Sequence, residues 1–310
     1  MYRTILVPLD GSIMAEQAVL PAGDIARRVG ASLLLAVAHP WGPPEDAPFA
    51  GTGADEALRH TEHEYLDRIR ARVETFGVPA EVVLLEGDPV AALGALVAER
   101  RVDLVVGSTH GRGALARVLR GGVAIRIAHG ISCPALLLKP LRESSAVPDA
   151  NGFTRILVPL DGSRAAETSL EPALALAAAR HAVLLLLRVL SPGREDGGTL
   201  ADRRLDATRY LNWVAGRLEQ RGVRVETRVV TRRAAGPGIV NLAGRWGADL
   251  LAITTRERGE GERLVLGSVA DLAVERAPMP VLVCHATVRQ TAEEAAIPLI
   301  PGWRRADALA

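Results

Sequence analysis

The peptide Ile5-Leu6-Val7-Pro8-Leu9-Asp10-Gly11-Ser12 occurs twice, returning residue for residue as Ile156 to Ser163. In each copy a carboxylate, Asp10 or Asp161, follows an apolar run and is itself followed by a glycine and a hydroxyl residue. A carboxylate so placed accepts hydrogen bonds from a ribose hydroxyl or a base amine. The glycine and serine are also accounted for by a turn and a helix cap. A second concentration of useful groups is Gly107-Ser108-Thr109-His110-Gly111-Arg112-Gly113, which runs on to Gly121-Gly122 before an expected helix. Glycines let backbone N–H groups converge on an anion, and a helix start adds the positive end of its dipole. That combination suits a polyphosphate.

Other chemistries find less support. Gly111-x-Gly113-x-x-Ala116 has the spacing of a dinucleotide fingerprint, but it follows the fourth expected strand instead of the first, and no acidic residue ends the next strand. No Gly-x4-Gly-Lys-Ser/Thr loop is present, which excludes a P-loop motor. His60 and His63 lie three apart on an expected helix without a second ligand cluster, and read as a solvated helix face. Gly-x-Ser-x-Gly is absent, so no nucleophile elbow is available. With no base-plus-nucleophile constellation an efficient enzyme is not expected, and slow nucleotide hydrolysis stays open. Cys133 and Cys284 occupy non-equivalent places and read as partly buried free thiols of a reducing compartment.

These residues need a scaffold, and the repeat supplies it. Asp103-Leu104 returns as Asp249-Leu250, Gly121 as Gly267 and Pro134 as Pro280, so the order of landmarks is kept across a tandem duplication. The period is domain-sized. Domains are expected over residues 1–141 and 153–286, with a polar linker at 142–152 and a C-terminal extension at 287–310. Within the first, strands are expected at Ile5–Leu9, Ala31–Ala38, Val82–Leu85, Asp103–Val106 and Ala135–Leu138. Helices are expected at Ser12–Val29, Asp55–Phe76, Pro89–Arg100 and about Gly122–His129, with His39–Gly53 as a loop. The second half repeats this order, with Thr199–Arg221 as its long helix. Strands alternating with helices imply right-handed crossovers and a parallel sheet. The fold class is therefore α/β: two tandem doubly wound five-stranded sheets of strand order 3-2-1-4-5, with helices on both faces. Ligands of such sheets bind beyond the carboxyl ends of the strands at the switch point, here between strands 1 and 4. Both unusual loops follow those strands.

Composition narrows the partners. Thirty-seven basic and 36 acidic residues leave a net charge of +1, so no overall field draws the chain to nucleic acid or an anionic membrane. Apolar residues make up 48% and aromatics 3%, which gives an aliphatic core and little surface for base stacking. The longest apolar run, Ala182 to Leu187, is far too short to cross a bilayer, and no signal-peptide pattern opens the chain. A cytoplasmic location is expected.

The strand-1 segment with its Asp, the glycine loop and the closing Pro280-Val281-Leu282-Val283 strand resemble those of the universal stress protein family, an adenine-nucleotide-binding group with this five-stranded fold. The resemblance covers both halves. It implies ATP as ligand, with or without Mg2+, held in the first half by Pro8, Asp10, Val37, Ser108, Thr109, Gly111, Gly121, Gly122 and Val123. A weaker second site would use Asp161, Val189, Thr254, Gly267, Ser268 and Val269. The family motif is Gly-x2-Gly-x9-Gly-Ser/Thr, and neither half carries it whole. In the first, Ser108 takes the first glycine's place and Gly122 that of the hydroxyl residue. In the second, Thr254 and Glu257 replace both early glycines, and a carboxylate stands where phosphates must approach. The expected function is a nucleotide-dependent regulator in the stress response, with ATP bound better in the first half. The alternatives are an interaction scaffold with degenerate nucleotide pockets and a slow ATP hydrolase. Expected partners are the nucleotide and an unidentified protein, with pairing of the halves through their fifth strands and homodimerisation as further expectations.

Overall fold

The structure is a computed structural model and describes residues 2–39, 52–108, 131–139, 152–192, 199–256 and 268–286. The chain divides into two compact units, residues 1–150 and 151–310. The first contains strands β1 (Thr4–Leu9), β2 (Ser32–His39), β3 (Ala80–Glu86), β4 (Leu104–Ser108) and β5 (Ala135–Leu138). They pair in parallel in the order β3-β2-β1-β4-β5. The second contains β6 (Arg155–Pro159), β7 (Val183–Leu190), β8 (Arg224–Thr231), β9 (Leu250–Arg256) and β10 (Val281–Ala286), in the order β8-β7-β6-β9-β10, again parallel. Each unit is thus a doubly wound α/β sheet.

Helices on both faces of a parallel sheet bury its central strands completely, which is why those strands are continuous aliphatic runs. Ile5, Leu6, Leu35, Leu104, Ile156, Leu157 and Leu184 are all essentially inaccessible. The edge strands β3 and β8 are half-exposed and carry Glu81, Glu86, Arg224, Glu226 and Arg228, charges that discourage a further strand from adding there. The repeated aspartates of the Asp-Leu pairs have a structural task. Asp103 Oδ2 accepts from the N–H groups of Arg3 (2.7 Å) and Thr4 (3.0 Å), and Asp249 accepts from Thr154 and Arg155 in the same way. Each carboxylate ties the start of its unit's first strand to the start of the fourth.

The helix expected over Ser12–Val29 is two helices, α1 (Ile13–Glu16) and α2 (Val19–Val29). Pro21 has no N–H to offer the Gln17 carbonyl, and its ring would collide with it, so the chain turns at Gln17-Ala18 and starts again. The ladder resumes one residue later, with Ala22 N–H donating to Ala18 O at 3.0 Å. The remaining described helices of the first unit are α3 (Thr52–Glu74) and α4 (Pro89–Glu99). In the second unit Pro172 imposes the same interruption between α5 (Arg164–Glu167) and α6 (Leu170–Ala178). There follow α7 (Leu200–Glu219), α8 (Ala235–Trp246) and α9 (Ser268–Arg276). The helix expected at about Gly122–His129 lies outside the described residues, as do 40–51 of the expected loop. His39 itself completes β2, and Thr52-Gly53 already belong to α3.

Candidate functional site

Pro8 makes the crevice at the switch point. In β1 the backbone groups of Arg3 face β2 and those of Thr4 face β4, as Ser32 N–H to Arg3 O and Asp103 N–H to Thr4 O show. Alternation carries the sequence 4, 6, 8 toward β4, so proline removes the donor that β4 would meet next. The β1–β4 ladder covers Ile5↔Leu104 and Leu6↔Val105, while the β1–β2 ladder continues to Leu9↔Val37. Pro159 does the same between β6 and β9.

The Asp-Gly-Ser turn sits on the lip of this opening and builds itself. Asp10 Oδ1 accepts from Ser12 N–H at 3.0 Å and from Ser12 Oγ at 2.5 Å. Gly11 takes φ +75°, a left-handed conformation in which a side chain would be strained. Ser12 caps α1 by accepting from Ala15 N–H at 3.1 Å. Asp161, Gly162 at φ +81° and Ser163 repeat the arrangement before α5. In the first unit Oδ1 of Asp10 shapes the turn, and Oδ2 makes no hydrogen bond among the described residues.

Of the other expected ligand residues, Val37 is 4% exposed at the end of β2, paired with Leu9. Ser108 ends β4 and is half-buried. Thr109, Gly111, Gly121, Gly122, Val123 and Gly267 lie outside the described residues, as does Glu257. Ser268 and Val269 begin α9, the first exposed and the second half-buried. Thr254 turns its hydroxyl to the first helix, donating to Ala166 O at 3.3 Å and lying 3.4 Å from Thr168 Oγ1.

One expected residue is displaced. The β6–β7 ladder sets Pro159 opposite Leu187, where the first unit has Pro8 opposite Ala36. The residue answering to Val37 is therefore Arg188, and Val189 points to the opposite face of β7. Arg188 is half-buried, and its Nη1 reaches Leu160 O, at the start of the Asp161 turn, at 3.4 Å.

Three pairs near the strand ends escaped sequence reasoning. Tyr210 Oη on α7 donates to Glu167 Oε1 on α5 at 2.7 Å. Tyr65 on α3 stands beside Glu16 on α1 in the same relation, although its hydroxyl makes no hydrogen bond of good geometry. Burial pushes both phenols well above their ordinary range, with Glu16 and Asp10 adding to the shift of Tyr65 and Glu167 to that of Tyr210; Arg188 opposes the latter. The signal was available, because Glu16 repeats as Glu167 and two of only three tyrosines fall on the corresponding long helices. The second pair is His39, 2% exposed at the end of β2, whose Nδ1 lies 2.7 Å from Glu62 Oε2. The third joins Thr255 Oγ1 to His285 Nδ1 at 3.1 Å. Both residues are buried and the hydroxyl also reaches Cys284 O at 3.3 Å, so this is a core hydrogen bond with no room for a substrate. His60 is a solvated helix residue, with its side chain 76% exposed beside Glu64.

The first unit's opening thus has the buried apolar side chain of Val37 and, at its lip, the Asp10 carboxylate, one oxygen of which makes no hydrogen bond among the described residues. Such a seat takes a flat apolar ring that carries hydrogen-bond donors. Among the described residues no helix is long and apolar enough to cross a membrane.

The profile of the Universal stress protein family matches residues 1–139 and again 152–285. A universal stress protein of Methanocaldococcus jannaschii is 29% identical over 151 residues, which are 46% of this chain and 86% of that one. One from Thermus aquaticus is 33% identical over 144 residues, 45% of this chain and the whole of that one. The crystal structure of a universal stress protein from Archaeoglobus fulgidus superposes with a TM-score of 0.70 at 20% identity, covering 92% of this chain and 97% of the other. That likeness carries the fold across both units.

Proposed function

Since the chain belongs to the universal stress protein family, with two copies of the family domain, we propose that it binds an adenine nucleotide, ATP, at the switch point of the first unit and acts as a nucleotide-dependent regulator in the cytoplasmic stress response. The observation that supports this reading is the early end of the β1–β4 ladder, with the Asp10 turn directly after β1 and the buried Val37 on neighbouring β2. Asp10 would accept from the ribose hydroxyls, and Val37 would lie against the base. Ser108, Thr109, Gly111, Gly121, Gly122 and Val123 would surround the phosphates, with Mg2+ as a permitted companion. The domains would span 1–141 and 153–286, and any weaker seat in the second would have to draw on Asp161, Thr254, Gly267, Ser268 and Val269. The nucleotide would act as a bound signal passed to a protein partner, not as a substrate turned over efficiently.

Mass spectrometry of small molecules released on denaturation, with calorimetry of added ATP in the presence and absence of Mg2+, tests the reading. Bound adenine nucleotide, or heat of binding that Asp10→Ala removes, is expected. Neither nucleotide nor heat at millimolar ATP would leave the scaffold reading in its place. Release of ADP above an Asp10→Ala control would instead support the slow hydrolase.

A further inference from the structure

The two units share a backbone at the switch point but not the side chains on either face of the sheet there. Val37, apolar and 4% exposed, has Arg188 as its counterpart. Gly107, level with Pro8 and on the face of the sheet opposite to Val37, has Ile253, because the β1–β4 and β6–β9 ladders run in the same register from Ile5↔Leu104 and Ile156↔Leu250. Among the described residues a Cβ added at Gly107 would meet only Pro8 Cγ, at 3.7 Å, an ordinary van der Waals contact. In the second unit the same position holds a branched side chain that is 5% exposed.

We propose that the second unit is closed to nucleotide by its own residues, Arg188 in the place of Val37 and Ile253 in the place of Gly107, so that the chain carries one nucleotide seat. The inference rests on the nucleotide reading of the first unit and names what confines binding to it. The Arg188 guanidinium lies at the carbonyl of Leu160, one residue before Asp161, and its charge is felt at the Tyr210 hydroxyl together with those of Glu167 and Asp161. It places a cation of the chain's own at the turn where Asp161 would otherwise meet a ribose. A nucleotide entering there would have to displace a half-buried guanidinium from that carbonyl, in a setting where charges are less screened than in bulk water. Thr254 adds to the closure by fastening the end of β9 to α5 through Ala166 O. In the first unit Val37 holds this position, Glu16 is already paired with Arg72 at 3.9 Å, and Oδ2 of Asp10 makes no hydrogen bond among the described residues.

Equilibrium dialysis of the full chain against radiolabelled ATP, with thermal unfolding by circular dichroism as a folding control, tests this. The parent should bind one ATP per chain. Arg188→Val with Ile253→Gly should bind two. The reciprocal changes Val37→Arg and Gly107→Ile, made separately so that one survives if the other unfolds, should each weaken the parent's binding roughly 10-fold or more. Two ATP per parent chain would overturn the proposal while leaving the nucleotide function standing. So would a single ATP that persists in Gly107→Ile, since it would then sit in the second unit. A double variant that stays folded and binds no more than the parent would also overturn it. No ATP on the parent would overturn the functional reading itself, and a gain of one ATP in the double variant would still support the closure.

Discussion

Replacing Glu62 by Ala should destabilise the first unit by about 1–3 kcal/mol, and adding His39→Leu should restore most of that loss. The His39 ring is 2% exposed, its Nδ1 is 2.7 Å from Glu62 Oε2, and the Glu62 side chain is 17% exposed. Deleting the carboxylate takes from a buried nitrogen the partner that offsets its desolvation, and such a loss costs about 1–3 kcal/mol. His39→Leu alone should cost a similar amount, because the carboxylate then faces methyl groups. Removing both members leaves no polar atom of the pair to satisfy. The second unit has already taken that route: Leu190 answers to His39 by the strand ladders, Ala207 answers to Glu62 by the offset that carries Tyr65 to Tyr210, and each is 7% exposed. The double variant should therefore lie within about 1 kcal/mol of the parent, which makes the two substitutions strongly non-additive. In a domain of this size 1 kcal/mol moves the midpoint by roughly 2–4 °C. Each single variant should then lower the first unit's calorimetric transition by about 2–12 °C, and the double by about 4 °C at most. Additive losses, or a double variant less stable than either single one, would refute the reasoning.

Three further outcomes are expected. Ala234 caps α8 with φ −126° and ψ 125° but no side-chain bond, whereas Asp88 caps α4 by accepting from Ala91 N–H at 3.0 Å. Ala234→Asp should therefore stabilise the second unit by about 0.5–1 kcal/mol, seen as a raised urea midpoint at unchanged slope. Burial pushes the Cys133 thiol up to about 12 and Cys284 higher still. Both stay protonated at pH 8, so a disulfide reagent should find no fast thiol in the native protein and two after denaturation; one fast native thiol would contradict the burial. Asp10→Ala should weaken ATP binding roughly tenfold or more through loss of a charge-assisted acceptor. Ser12→Ala, which removes the helix cap and one of the two donors to Asp10 Oδ1 but leaves the carboxylate and its Ser12 N–H bond, should cost about 1 kcal/mol of stability and affect affinity far less than Asp10→Ala; equal effects on affinity would deny Asp10 its separate role.

Much of the fold was legible because an aliphatic strand between helices has few other uses, and because the octapeptide occurs twice. The break at Gln17 was legible in principle from Pro21, but the apolar spacing of Ala15, Ala18, Val19 and Ala22 continues across it and reads as one helix. Arg188 illustrates a different difficulty. Counting from the repeat leads from Val37 to Arg188, whereas the expectation of an apolar residue leads one step further, to Val189; only the strand ladder shows which side of the sheet each occupies. The Tyr–Glu and His–Glu pairs join residues from separate helices and strands, and no local pattern brings them together. Pro8 was noticed as a ligand residue, while its removal of a donor toward β4 depends on which neighbour its backbone faces.

The duplicated Asp-Gly-Ser turn therefore carries less functional weight than its repetition suggests. Each of its residues has a local task that holds with or without a ligand: the aspartate closes the turn, the glycine takes a left-handed φ, and the serine caps a helix interrupted four residues later by the same proline. Both units need that task done, so both keep the turn. The floor of the crevice is under no such requirement. Among the described residues a side chain at Gly107 would meet only Pro8, and a glycine in a strand costs conformational entropy. Its presence on one face of the sheet, with an apolar Val37 on the other, is better explained by a ligand that must fit at the strand ends. Arg188 and Ile253 at the matching positions are what the same crevice holds when nothing must. On this argument the distinction between the units lies in two strand positions that fold economy leaves free to vary, and not in the motif that the two units share.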